Sequence, residues 1–247
     1  MPPPTLPTTP SLNLTPVPLT PEAFSPFGTA IMSPLARDIT TPPPISTLQT
    51  LTPTPVLANQ SSALKYSPIS PMIDTYSTSP SGQPSSARMT MFSCFPRKLR
   101  SVSKKKNVFD VRILERHPYT TQTFTPIDLS SQSTAGGEEE PLYLVIVAPS
   151  LKGTTVVART DAGEEVGVVD PPDLSRLRAF VARGGQAVTY GAGTWHAPMV
   201  VVGSRRVDFV VVQFVNGVDA EDCQEVVFGE GIVVEVAGGK GESLAKL

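Results

Sequence analysis

From residue 88 onward, apolar residues alternate with polar ones or form short unbroken runs, bounded by Gly, Pro, Asn or Asp. Residues 88–95 alternate as a half-buried strand that Pro96 ends, and 108–114 predict the next strand. Leu142–Ala148 is apolar at every position, the pattern of a strand buried on both faces. Residues 152–172 form an insertion whose two Val-rich ends pair as a short hairpin. A helical turn at 173–178 leads into a strand at 179–182. Short strands follow at 186–190, 199–202, 207–215, 225–228 and 232–236. About a dozen short strands with little helix predict an all-β sandwich or barrel. No strand–helix alternation, P-loop or dinucleotide fingerprint interrupts this pattern.

The first 90 residues differ in texture, holding 19 of the 27 prolines. Residues 1–11, Pro- and Thr-rich, offer too little apolar surface to offset ordering entropy and are expected to be a flexible arm. Beyond them, Thr20 and Pro21 open a short helix as N-cap and first helical residue, and 27–32 read as a strand. The Ser/Pro-rich stretch 77–86 reads as surface loop. Residues 12–247 are expected to form one domain with loop insertions near 130–140 and 152–172.

A net charge of −2 over 247 residues supplies no field to gather nucleic acid or an acidic membrane surface. The basic run of Arg97, Lys98, Arg100 and 104–106 lacks interleaved aromatics and reads as a solvated loop. The N-terminus has neither the basic nor the apolar region of a secretory signal. No apolar run nears the roughly 18 to 20 residues of a membrane-crossing helix. Cys94 and Cys223 have no metal-ligand spacing and read as reduced thiols. A soluble cytoplasmic protein, with neither nucleic acid nor membrane as partner, is the expectation.

The candidate chemistry lies in two histidine segments, His117 and His196 being the chain's only histidines. In an extended strand, residues i and i+2 share a face, so Glu115 and His117 stand together with Leu114 and Arg116 opposite. Gln122 returns several residues later, and His196 follows the glycine turn at Gly191 and Gly193. This outline resembles the metal-binding quartet of cupins, with Glu115 where that pattern has His and Gln122 where it has Glu. Glu115, His117, Gln122 and His196 together suit a divalent ion such as Ni, Mn, Fe or Zn. Structural histidines, satisfied without a ligand, are the competing reading. Tyr190 and Trp195 read as core or rim aromatics. Asp208 reads as a partner for Arg205 or Arg206, an orienter of a histidine, or an outward-facing residue.

Leu114-Glu115-Arg116-His117-Pro118, followed by Thr121-Gln122-x-Phe124-x-Pro126, resembles the signature of the ureidoglycolate lyases of allantoin catabolism. Pro21 to Gly28, Asp173 to Phe180, Tyr190-x-x-x-x-Trp195-His196-x-Pro198, Asp208-Phe209 and Asp222-Cys223 are similar to family segments in the same order. The resemblance spans about residues 12 to 230, and Phe95 to Lys98 with the long insertions points to the fungal branch. It implies a bicupin-like double-stranded β-barrel with a few short helices, and a homodimer. It also implies a carbon–nitrogen lyase of the amidine-lyase type that cleaves (S)-ureidoglycolate to glyoxylate and urea.

In that frame Glu115, His117, Gln122 and His196 are the catalytic set and hold a nickel-like divalent metal, with no organic cofactor. Without a metal, Glu115 or a histidine is itself the base. The substrate carboxylate needs a cation or backbone donors, for which Lys65, Arg116, Arg97 and Lys98 and the loop of Asn59, Ser61 and Ser62 are candidates. Tyr190 and Trp195 are expected to wall the pocket. A cupin that binds a small hydroxy acid without turnover, or one that oxidises it, is the alternative.

Overall fold

The computed structural model describes residues 2–7, 11–36, 38–103, 106–129 and 142–237. Its centre is the strand Leu142–Ala148, whose seven residues are all buried. Leu142, Leu144, Ile146 and Ala148 enter one apolar cluster, while Tyr143, Val145 and Val147 enter a second. The antiparallel neighbour Arg178–Arg183 does the same, sending Ala179 and Val181 one way and Phe180 and Ala182 the other. A strand with two cores to fill has no position left for water, which explains the unbroken apolar run. Each fully buried Val, Leu, Ile or Phe contributes about 1.5–3 kcal/mol.

This pair lies in a ten-stranded sheet. Outward from Leu142–Ala148 it continues through Trp195–His196, Ile113–Arg116, Gln224–Phe228 and Thr5–Leu6 to the hairpin Thr155–Arg159 and Glu165–Val169. A four-stranded sheet covers one side, bringing Phe109, Ile232, Val234 and Val236 into the first cluster. The other side meets a five-stranded sheet ordered Gly28–Ile31, Ala187–Tyr190, Gln122–Ile127, Val207–Val215 and Ser86–Cys94. That sheet supplies Ala30, Val188, Phe124, Phe209 and Val211 to the second cluster. The fold is all-β and cupin-like, with short α-helices at Pro21–Phe24, Ile45–Leu48 and Asp219–Asp222 among the described residues. Among those residues the sheets are open ladders facing one another, and no ladder closes into a ring. No described helix is long and apolar enough to cross a membrane.

Local expectations fare unevenly. Thr20 caps Pro21–Phe24, its side chain accepting from Ala23 N at 3.2 Å. The Val-rich ends of the second insertion pair as a hairpin, with Thr155 opposite Val169 and Ala158 and Val168 in the first cluster. The first insertion, near 130–140, falls outside the described residues. The expectation of a flexible arm over 1–11 does not describe Thr5–Leu6. This strand runs parallel to Val227 and Phe228 and antiparallel to Arg159, with Leu6 buried. Two residues between prolines carry no periodicity, so their pairing comes from the edges already built around them. Ser86–Cys94 is less buried than its alternation predicts, because it is the outermost strand of its sheet, with Met89 72% and Met91 64% exposed.

Candidate active site

The site forms where the ten-stranded and five-stranded sheets face each other. Pleating of Ile113–Arg116 sends Leu114 into the first cluster and Glu115 toward the five-stranded sheet. Glu115 lies directly opposite His196 in the antiparallel ladder, with Oε1 3.4 Å from Nε2. Gln122 opens the strand of the facing sheet and brings its Oε1 to 3.2 Å from the same His196 nitrogen. The His117 ring lies 5.5 Å from the His196 ring, centroid to centroid. The sequence-predicted quartet therefore converges. Glu115, His117 and His196 present ligand atoms within 4.8 Å of one another.

Backbone carbonyls fix the protons on both imidazoles. His117 Nδ1 is 2.6 Å from the Asp222 carbonyl oxygen, and His196 Nδ1 is 3.1 Å from that of Thr194. A carbonyl can only accept, so each Nδ1 carries hydrogen and each ring turns its Nε2 toward the site. His117 Nε2 is buried with no hydrogen-bond partner. His196 is held by Tyr190, whose ring stacks on it at 3.9 Å and 10°. Gln122 is oriented by Gln213, whose Oε1 accepts from Gln122 Nε2 at 2.5 Å. The turn before His196 is tied to His117 as well, Gly193 N donating to the His117 carbonyl at 2.8 Å. That turn needs φ +76° at Gly193, a region open to glycine.

The electrostatics sort these groups into roles. Burial opposes the Glu115 charge, yet the bond to His196 and the two neighbouring histidines hold its carboxyl below the usual range. Burial, reinforced by His196, pushes the His117 imidazole below its ordinary value, so it is neutral at pH 7. Cys94 and Cys223 both line the cavity. Burial raises both thiols, and with nearby Glu115, Glu225 and Asp222 it takes Cys223 up to about 12. Protonated thiols are poor nucleophiles and poor ligands. The cavity measures about 410 Å³, room for a small polar molecule. A larger depression of about 630 Å³ on the outer four-stranded sheet has its Arg100 paired with Asp110 and Lys106 paired with Glu235, and it contains neither histidine.

Residues 11–235 match the family model described as ureidoglycolate lyase. The chain belongs to the ureidoglycolate lyase family. It is 35% identical over 225 residues to the ureidoglycolate lyase of Saccharomyces cerevisiae, covering 87% of this chain and 94% of that protein. With the ureidoglycolate lyase of Schizosaccharomyces pombe it shares 34% identity over 206 residues, 83% of this chain and 86% of the relative. The ureidoglycolate lyase of Burkholderia mallei matches at 34% over 117 residues, 47% of this chain and 49% of its own length. The two fungal relatives thus follow this family member along most of its length.

Several residues expected around the pocket stand elsewhere in this lyase-family chain. Arg116 points away from Glu115 and is 5% exposed. Its guanidinium donates to Gln224 Oε1, Ser150 Oγ and the carbonyls of Val169 and Asp170. It also covers the Trp195 ring at 4.9 Å. Trp195 is fully buried in the first cluster and donates from Nε1 to the Asp170 carbonyl at 2.9 Å. Arg116 and Trp195 therefore fasten the 155–169 hairpin on the face away from the cavity, and neither lines it. Tyr190 supports His196 from behind. Lys65 and the loop of Asn59, Ser61 and Ser62 belong to the small hairpin Val56–Ala58 and Ala63–Lys65, outside the cavity lining. Arg97 lies over Phe109, and neither it nor Lys98 is in the lining. Asp208 pairs with Arg206, Oδ2 to Nη2 at 2.9 Å. The sequence reading misses Arg88, Gln213 and the Asp222 carbonyl. Only Arg88 carried a signal, since it shares its strand face with Thr90, Phe92 and Cys94, which also line the cavity.

Proposed function

We propose that this protein cleaves (S)-ureidoglycolate to glyoxylate and urea as a cytoplasmic homodimer. The observation that carries the reading is the convergence of an ionised Glu115 with two imidazoles, His117 beside it in the lining of one small cavity and His196 buried against its carboxylate. The family's activity is a carbon–nitrogen elimination, and it requires a group that takes a hydroxyl proton and a group that gives one to nitrogen. Glu115 serves both ends in this reading. Its carboxylate accepts the proton of the α-hydroxyl while the C–O bond becomes a carbonyl and the C–N bond breaks. The same proton then passes from Glu115 to the departing nitrogen, which leaves as urea. No oxidant or water is consumed, and charge balances. His196 and Gln122 hold the Glu115 edge in place, and Phe124 and Met199 on the cavity wall keep water away from the reacting carbon.

The donor set also fits a divalent ion. His196 Nε2, Glu115 Oε1 and Gln122 Oε1 are all acceptors when the ring is neutral, and His117 Nε2 is buried without a partner. Glu115, His117 and His196, with Gln122 as fourth donor, would hold the ion. When bound, such an ion lowers the pKa of a coordinated hydroxyl.

Two further observations support the oligomer and the compartment. The outer edge of Ser86–Cys94 is unpaired among the described residues and exposes Met89 and Met91, a surface suited to pairing with a second copy. Both cysteines are free, as a reducing compartment favours. The deciding experiment incubates the purified protein with ureidoglycolate, with and without chelator, and measures urea, glyoxylate and ammonia together. Urea with equimolar glyoxylate is expected. Ammonia as the nitrogen product would replace the lyase by an amidohydrolase. Light scattering reads the dimer.

A further inference from the structure

The quartet accounts for the hydroxyl and the leaving nitrogen, but it leaves the substrate carboxylate without a cation. Glu115 and Gln122 offer that carboxylate oxygen acceptors and no positive charge. The substrate must therefore lie with its carboxylate turned from Glu115 toward a positive group at the other end of the cavity. Among the residues lining the cavity, Arg88 alone carries a guanidinium or ammonium group.

Its placement follows from register. In Ser86–Cys94, Arg88, Thr90, Phe92 and Cys94 pair with Gln213, Val211, Phe209 and Val207 of the neighbouring strand. Val207, Phe209 and Val211 belong to the cluster between the two sheets, so the same pleat turns Arg88 to the cavity side. Directly opposite Arg88 is Gln213, which holds Gln122, which in turn reaches His196. A polar line thus runs from Arg88 to the reacting end of the pocket. Unlike Arg116 and Arg206, Arg88 has no ion-pair or hydrogen-bond partner among the described residues.

We infer that Arg88 holds the substrate carboxylate, its guanidinium fork meeting both carboxylate oxygens at the cavity mouth while Glu115 meets the hydroxyl. This assignment rests on the lyase reading. Arg88 is then the residue that selects α-hydroxy acids over the corresponding amides, and it fixes which end of the substrate reaches Glu115.

The test compares wild-type full-length protein with Arg88→Gln and Arg88→Lys. Arg88→Gln is expected to raise KM for ureidoglycolate roughly tenfold or more, as loss of a charge-assisted bidentate contact does, with a smaller change in kcat. Competitive inhibition by glyoxylate weakens by the same factor while inhibition by urea is unchanged. A merely structural role on an edge strand would not separate the two products. Arg88→Lys recovers part of the affinity through its point charge. Unchanged KM and unchanged glyoxylate inhibition in Arg88→Gln, beside an active wild type, overturn the assignment and leave the lyase reading standing. An inactive wild type removes the lyase reading instead, and calorimetric titration with glyoxylate then decides Arg88 alone. Equal affinity in wild type and Arg88→Gln, or no binding by the wild type, overturns it.

Discussion

Glu115 and His196 are cross-strand partners, Oε1 to Nε2 at 3.4 Å, on neighbouring strands of the ten-stranded sheet. The ladder between them is held by the backbone, so the pair is fixed before any ligand arrives. Replacing Glu115 with Gln removes the proton acceptor and keeps the shape. Activity is expected to fall about 10²- to 10⁴-fold, with the thermal midpoint little changed. Urea release and a melting curve on the same sample check both halves of this expectation.

Metal retention is read apart from turnover. Protein purified from medium supplied with nickel or manganese is expected to keep the ion through gel filtration, and His117→Ala is expected to lose it. Elemental analysis of the two proteins gives the answer. Equal metal content in both would remove His117 from the ligand set.

Arg116 has a structural task, and its loss has a structural signature. Arg116→Met leaves the acceptors on Gln224, Ser150, Val169 and Asp170 without their donor. A destabilisation of about 3 kcal/mol is expected. Urea denaturation measures it. Inhibition by glyoxylate in this variant should match that of the wild type, in contrast to Arg88→Gln.

Acid sensitivity is expected from Glu221, which ties the turn before Cys223 to the loop around Ser81. Burial works against its charge, but bonds from Ser81, Ser79 and Asn216 overcome it and bring the carboxyl down to about 2. An unfolded glutamate titrates near 4.5, so as pH falls the unfolded chain takes up the proton first. The stability that Glu221 contributes is therefore present above about 4.5 and is lost as pH falls toward about 2. Thermal midpoints between pH 5 and 3 should drop less steeply in Glu221→Gln than in the wild type.

What the sequence makes legible follows from the range of each interaction. Strand pleating is local, so the shared face of Glu115 and His117, and the doubly buried run at Leu142–Ala148, can be read from alternation. The opposed face of Arg116 follows from the same rule, and only its partners on the hairpin stay hidden. Arg88 is harder, because an exposed arginine on an edge strand looks like any solvated charge until the facing sheet is known. Thr5–Leu6 is hidden for a related reason, since its partners at Arg159 and Val227 lie at the other end of the chain. Trp195 sits beside His196 in sequence but on the other side of the sheet, so adjacency misleads where parity decides.

The atom that sets the His117 tautomer is the main-chain oxygen of Asp222, and no side-chain replacement deletes a peptide carbonyl. What can change is the path of the chain that carries it. That path is held by the Asp222 carboxylate, which accepts from Asn216 N, Gly217 N and the Tyr76 hydroxyl. Replacing the Asp222 carboxylate would therefore act on the imidazole indirectly, by freeing those three donors and the course of the loop. An insertion or deletion between 216 and 222 would disable the imidazole while leaving every catalytic side chain in the sequence.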